Sequence, residues 1–103
     1  MIVISGTFHL KSQEADRAID AMLTIQRASV REEGCAHYRF MRSLENANTL
    51  HVFEEWSSLK ALGAHYGTSH VTHFNTVFPA YLASPAEVDM YDANNQRPLR
   101  DPR

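Results

Sequence analysis

His65, His70 and His73 fall close together in the chain. An imidazole changes charge near neutral pH, with an ordinary pKa of ~6.5, so any one of them could act as a base toward an acidic organic substrate. Glu54 and Trp56 come just before them and Phe74 just after. A tryptophan and a phenylalanine can stack on a flat ring, and a glutamate beside a buried tryptophan must find a hydrogen-bond partner. Tyr38, Arg39 and Arg42 come from an earlier stretch. An arginine or a buried hydroxyl there could hold an anion. Each of these residues also has a plain structural role open to it. A histidine can tie down a turn, Trp56 can be core, Glu54 can bond turn amides, and the arginines can form sheet ion pairs. Two adjacent histidines with a nearby glutamate could converge on a metal, but no HExxH or other compact ligand spacing is present. Together these side chains describe a polar-lined pocket and leave its reaction open.

The positioning elements follow from the pattern around them. Leu50–Trp56 carries β-branched and aromatic residues and reads as the end of a strand. Ser57 or Ser58 can cap a helix bearing Leu59 and Leu62, and after Gly67, Thr68 or Ser69 can cap a second bearing Val71, Phe74 and Val77. Two short helices cover a sheet less completely than one long one, so a gap between them and the strand is expected. Trp56 and Phe74 should line it, and Gly67 should give the joint freedom to open.

Upstream, Ile2–Leu10 alternates as a strand, with Gly6 marking a bulge or a close approach. Lys11–Glu33 has helical spacing, with Ser12 as cap and Gly34 as terminator. Cys35–Leu44 and Thr49–Trp56 read as a hairpin around Glu45–Asn48. One register sets Arg39 opposite Glu55; a one-residue slip sets Tyr38 opposite Glu55 and Arg42 opposite His51. Downstream, helices are expected over Ser57–Tyr66 and Ser69–Tyr81, with Pro79 closing the second, then a strand over Ser84–Tyr91. The order β-α-β-β-α-β is that of a ferredoxin-like α+β fold over residues 1–91, followed by a tail over residues 92–103. Strands two and three carry large apolar groups on both faces, so a second copy should cover the sheet and make a homodimer.

A chain of 103 residues is one domain, and a net charge of −2 offers no field for nucleic acid or an anionic membrane. Cys35 is the single cysteine, most simply a small buried hydrophobe. There is no GxGxxG and no Walker loop, so no nicotinamide, flavin, nucleotide or metal cofactor is expected. The first ten residues lack the features of a signal peptide, no run is long enough to span a membrane, and a cytoplasmic setting is the default expectation.

The stretch Phe53-Glu54-Glu55-Trp56-Ser57, followed by Ala61-Leu62, His65, Ser69-His70 and Phe74, resembles the antibiotic biosynthesis monooxygenase domain family. Gly34-Cys35 and the Tyr38-x-Phe40 step match the family's entry to its second strand. The resemblance covers roughly residues 2–91 and implies a ferredoxin-like protomer that pairs through its sheet into a dimeric α+β barrel. It implies oxidation of a small phenolic, quinol or polyaromatic substrate by O₂ without a prosthetic group, with Trp56 beside the substrate. Such chemistry needs a substrate that ionises to an electron-rich anion, a base to ionise it, a group to hold the anion, and exclusion of water. On that basis one of His65, His70 and His73 is the expected base, and Trp56, Phe74, Tyr38, Arg39 and Glu54 are the expected substrate contacts. The asparagine, tyrosine and arginine that polyketide-oxidising relatives use have no clear match here. The alternatives are a non-catalytic dimer that binds a small aromatic ligand, and a haem-degrading monooxygenase. The haem reading is weakened because strand one has no asparagine and no histidine falls near Thr76.

Overall fold

The computed structural model describes all of residues 1–103. Its central strand is β1, Ile2–His9. Ile2, Ile4 and Phe8 alternate onto one buried face because side chains along a strand have a period of two. β2 (Cys35–Arg42), β3 (Thr49–Trp56) and β4 (Glu87–Asp92) complete an antiparallel sheet in the order β2-β3-β1-β4. A β carbon on Gly6 would lie 2.6 Å from Val88 Cγ2 and 2.9 Å from the Glu87 carbonyl oxygen. The glycine therefore serves a close approach, and what approaches is the neighbouring strand.

Helix α1 spans Ala15–Ser29 and turns Ala18, Met22, Ile25 and Ser29 onto the sheet. It is shorter at both ends than the expected Lys11–Glu33. A 3₁₀ turn over Ser12–Glu14 precedes it, and the Ser12 side chain caps nothing. At the other end Arg31 N and Glu32 N donate to Ala28 O and Ser29 O, three residues back, which tightens the last turn and ends the helix. Gly34 thus lies beyond the helix, at φ +84°, in the turn that enters β2. A side chain there would collide with Ala61 Cβ at 2.5 Å. This early stop leaves Glu32 in a turn, free to face elements other than its own helix.

In the β2–β3 hairpin Tyr38 faces Glu54, Phe40 faces Val52 and Arg42 faces Leu50, so Arg39 opposes Phe53. Neither expected register is the real one. β2 stops at Arg42 rather than Leu44, and Ser43 N already closes the loop onto Thr49 O at 2.8 Å. The register also shifts between Cys35 and His37, a bulge at Ala36. β2 is an edge strand, and the amide of Phe40 donates outward to Gln26 Oε1 on α1 at 2.7 Å.

α2 (Leu59–Tyr66) is capped by Ser58, whose side chain accepts from Ala61 N. α3 (Ser69–Val77) is capped in the same way by Thr68. Gly67 between them has φ −87° and ψ −2°, so the joint as folded does not use the positive φ that favours glycine. Pro79 sits in a 3₁₀ turn over Phe78–Tyr81, so α3 ends before Tyr81. Leu82 and Ala83 bond back to the end of β1, which delays β4 past the expected Ser84 start. No helix is long and apolar enough to cross a membrane.

The result is a ferredoxin-like α+β fold with its helices on one face of the sheet. Leu50, Val52, Glu54 and Trp56 of β3 are buried on that face. The other face carries half-buried Val3, His51, Phe53 and Glu55 together with exposed Arg39, Met41 and Tyr91, and nothing of this chain covers it.

Candidate active site

β3 places the first two groups. Glu54 and Trp56 are two residues apart and share its helix-facing side, where Trp56 is fully buried and Glu54 is 7% exposed. Trp56 Nε1 donates to Glu54 Oε1 at 2.9 Å. Burial of the carboxyl among apolar side chains opposes its ionisation and pushes its pKa up to about 7, against the tryptophan hydrogen bond, with nearby Glu32 raising it further. Tyr38 lies directly across the strand pair, and burial likewise pushes its phenol well above the usual range.

α2 and α3 supply the histidines. His65 is 3% exposed and its ring lies 4.6 Å from that of Trp56. Its Nδ1 is 2.6 Å from Glu32 Oε2, and His70 Nε2 reaches the same oxygen at 2.9 Å. A carboxylate oxygen accepts, so both of these ring nitrogens carry the proton. In the neutral ring of His65 this is the Nδ1–H tautomer, whose Nε2 carries the lone pair. Nε2 makes no hydrogen bond within the chain and is not among its sealed polar atoms.

Between these helices and the sheet lies a cavity of about 210 Å³. Tyr38, Phe40, Val52 and Glu54 form its floor, and His65, Tyr66, Val71 and Phe74 its roof. Ile25 of α1 and Val88 of β4 close its sides. Phe74 stacks on Phe78 at 4.3 Å and also faces Phe40, so its position is held by packing. The walls are apolar apart from a few convergent polar groups, the usual make-up of a small-molecule site.

The expected residues divide clearly. His65, Glu54, Tyr38 and Phe74 meet at this cavity. Trp56 does not line it; it lies beneath, bonded to Glu54 and packed on His65, and so positions both. His70 touches Glu32 and borders a recess of about 80 Å³ against α1, together with His73. His73 does not reach Glu32. Arg39 is exposed on the opposite face of the sheet, away from the cavity. Arg42 borders a groove of about 300 Å³ between α1 and β2, apart from the histidines. Cys35 is half-buried, and burial pushes its thiol up to about 11, so it is unreactive near neutral pH.

Glu32 is the residue that sequence reasoning missed. It sits 33 residues before His65 and 38 before His70, and no local spacing links them. The only hint in the chain is an acid two residues ahead of a glycine that ends a helical pattern. Glu32, His65 and His70 offer metal-ligand atoms within 4.8 Å of one another. Around an ion with bonds of ~2.0–2.1 Å, tetrahedral ligands would stand about 3.3 Å apart. The separations of 2.6 and 2.9 Å from one shared oxygen are those of hydrogen bonds.

The ferredoxin-like domain thus brings a small apolar cavity, an oriented histidine and a buried carboxyl together, groups of the kind that can move a proton. Comparison with known proteins places it more narrowly: residues 1–77 match the family model "Antibiotic biosynthesis monooxygenase", and the chain belongs to that family. It is 31% identical over 90 residues to an uncharacterised protein of Synechocystis, an alignment covering 87% of this chain and 61% of that protein's length. Among solved structures, one from Deinococcus radiodurans, provisionally named an antibiotic biosynthesis monooxygenase, superimposes with a TM-score of 0.89 at 20% identity, covering 98% of this chain and 100% of that one. A conserved protein from Methanosarcina mazei gives 0.85 at 22% identity, covering 90% and 92%. At these identities the structures share the fold.

Proposed function

We propose that the chain is a monooxygenase that needs no cofactor and oxidises a small flat phenol or quinol with O₂. The observation that carries this reading is His65, buried at the cavity with Nδ1 held by Glu32 and Nε2 left free to accept a proton. In this scheme Nε2 takes the substrate's acidic proton, and Glu32 stabilises the imidazolium that forms. The electron-rich anion, held beside the His65 imidazolium, then gives an electron to O₂ between apolar walls. Overall RH₂ and O₂ become R=O and H₂O, so the substrate supplies all four electrons that reduce O₂. Family membership supports the reaction class, and the cavity's size supports a ligand of one or two rings. The test is oxygen uptake with benzene-1,4-diols and dihydroxynaphthalenes as substrates. Uptake that needs folded protein is expected; none with any of them would sink the reading.

The bare sheet face supports a second part of the proposal. Val3, Met41, Phe53 and Tyr91 lie there with no cover from this chain, and a second copy packed sheet to sheet would bury them. A stable pair would bury ~1,200–2,000 Å² in total. Light scattering at micromolar concentration should give a dimer's mass, and Phe53→Arg should shift it toward the monomer. A monomeric wild type would remove this part.

A further inference from the structure

Two different proton-handling groups face the same cavity. His65 lines its roof and Glu54 its floor, with Trp56 holding one Glu54 oxygen and Glu32 holding His65 Nδ1. The cavity wall contains no lysine and no arginine. Negative charge that develops on a bound ligand therefore meets no permanent cation, and Glu54 is the one carboxyl in the lining that can relieve it by giving up a proton. Resting on the reading of His65 as a base, we propose that this pocket also tautomerises flat aromatic ketones without oxygen, with His65 as base and Glu54 as acid. His65 Nε2 removes a proton from the carbon beside the carbonyl. The C–H electron pair becomes the C=C bond of the enol, the C=O π pair moves to oxygen, and the Glu54 O–H proton transfers there. The reverse path returns the ketone, and no electrons are gained or lost.

The surroundings favour these roles. Glu54 is held by one hydrogen bond from Trp56 and otherwise packed against apolar groups, which favours the protonated acid. Its pKa, pushed up to about 7 by that burial, leaves a proton available near neutral pH. The other titratable groups around the pair are Glu32 from the turn after α1, Cys35 and Tyr38 of β2, Tyr66 of α2 and His70 of α3. Glu32 is committed to the two histidines, and burial pushes both phenols up, which makes them weaker acids than Glu54. None of these competes with Glu54 as acid.

The probe is 2-tetralone, a flat bicyclic ketone, in D₂O buffer under argon, with loss of its α-hydrogen signal followed by NMR. A proton taken by His65 exchanges with solvent before it returns, so wild-type protein should exceed buffer by ~10² or more. His65→Gln should fall to within a few-fold of buffer. Glu54→Gln should lose about tenfold or more, and should also lose the decline that wild type shows above about pH 7, where an ionised Glu54 can no longer donate. A merely structural Glu54 would leave that pH profile unchanged. Should His65→Gln fail to fold by circular dichroism, Glu32→Gln, which keeps an acceptor oxygen between the rings, should still slow exchange. Wild-type exchange no faster than buffer would overturn the proposal, as would a Glu54→Gln variant with wild-type rate and profile. Oxygen uptake measured in parallel separates the two readings. Exchange without uptake removes the oxygenase, and uptake without exchange removes the tautomerase.

Discussion

The six histidines divide evenly between two regions, and the same side chain does different work in each. His9, His37 and His51 point from the bare face of the sheet. There His51 Nδ1 meets Thr7 Oγ1 at 3.0 Å, His9 Nδ1 meets Thr49 Oγ1 at 3.2 Å, and His37 packs edge-on to Phe53. A threonine hydroxyl can donate or accept, so it imposes no tautomer and adds no charge. In the other region Glu32 takes a proton-bearing nitrogen from each of two rings, and His65 packs at a tilt against Trp56 at the edge of a cavity. A carboxylate partner fixes the tautomer and strengthens the free nitrogen as a base. The difference between the regions lies in the partner and in enclosure rather than in the histidine.

The sharpest way to break that contrast is to remove one histidine from each side. His65→Gln should lower turnover by roughly 10²–10⁴, and His51→Gln should leave it within about twofold. Oxygen-uptake kinetics on both variants decide the matter, and equal losses would erase the distinction.

A smaller effect tests enclosure itself. Glu54, at about 7 in the folded chain, keeps its proton where the unfolded chain, near the ordinary 4.5, has lost it. Between those values the folded state binds more protons, so this group's contribution favours the acid side and stability falls as pH rises through the window. At ~1.4 kcal/mol per unit, the fall approaches about 3 kcal/mol. Glu54→Gln abolishes it. Urea unfolding at about pH 5 and pH 8 should show wild type losing that much more than the variant, and parallel curves would mean that the carboxyl is not truly enclosed.

The smallest effect concerns Ser29, fully buried on α1 with no hydrogen-bond partner for its hydroxyl. It sits close enough to Tyr38 to lower the phenol's pKa slightly, yet its Oγ does not reach hydrogen-bonding geometry. Ser29→Ala should therefore stabilise the chain by ~1 kcal/mol, read as a higher urea midpoint. A loss of that size would indicate a satisfied hydroxyl.

The fold was largely legible in the sequence because its signals are local. Alternation in β1 and β3, the serine and threonine caps of α2 and α3, and Pro79 all act within a few residues. The hairpin register was not, since it depends on how Ser43–Asn48 closes and on a bulge at Ala36. The site was legible by residue type and illegible by partner. His65, Glu54, Tyr38 and Phe74 were identifiable, whereas the role of Glu32 required the last turn of α1 to tighten and carry it toward α2. Arg39 was misplaced for a different reason: alternation along β2 turns it to the side opposite Tyr38 and Phe40, beside Phe53 and away from the cavity.

The amide of Phe40, held by Gln26, has a consequence for how the molecule behaves in a crowded solution. An edge strand with free amides invites a foreign strand to add to it, which is how soluble sheets begin to aggregate. β2 is such an edge, and it carries Phe40 and Met41 side by side. Gln26 occupies the central outward donor with a side-chain carbonyl at 2.7 Å, so an incoming strand would first have to displace a helix-anchored group. One glutamine thus serves as the guard of the sheet's open side, and it does so without adding charge to the wall of the neighbouring groove.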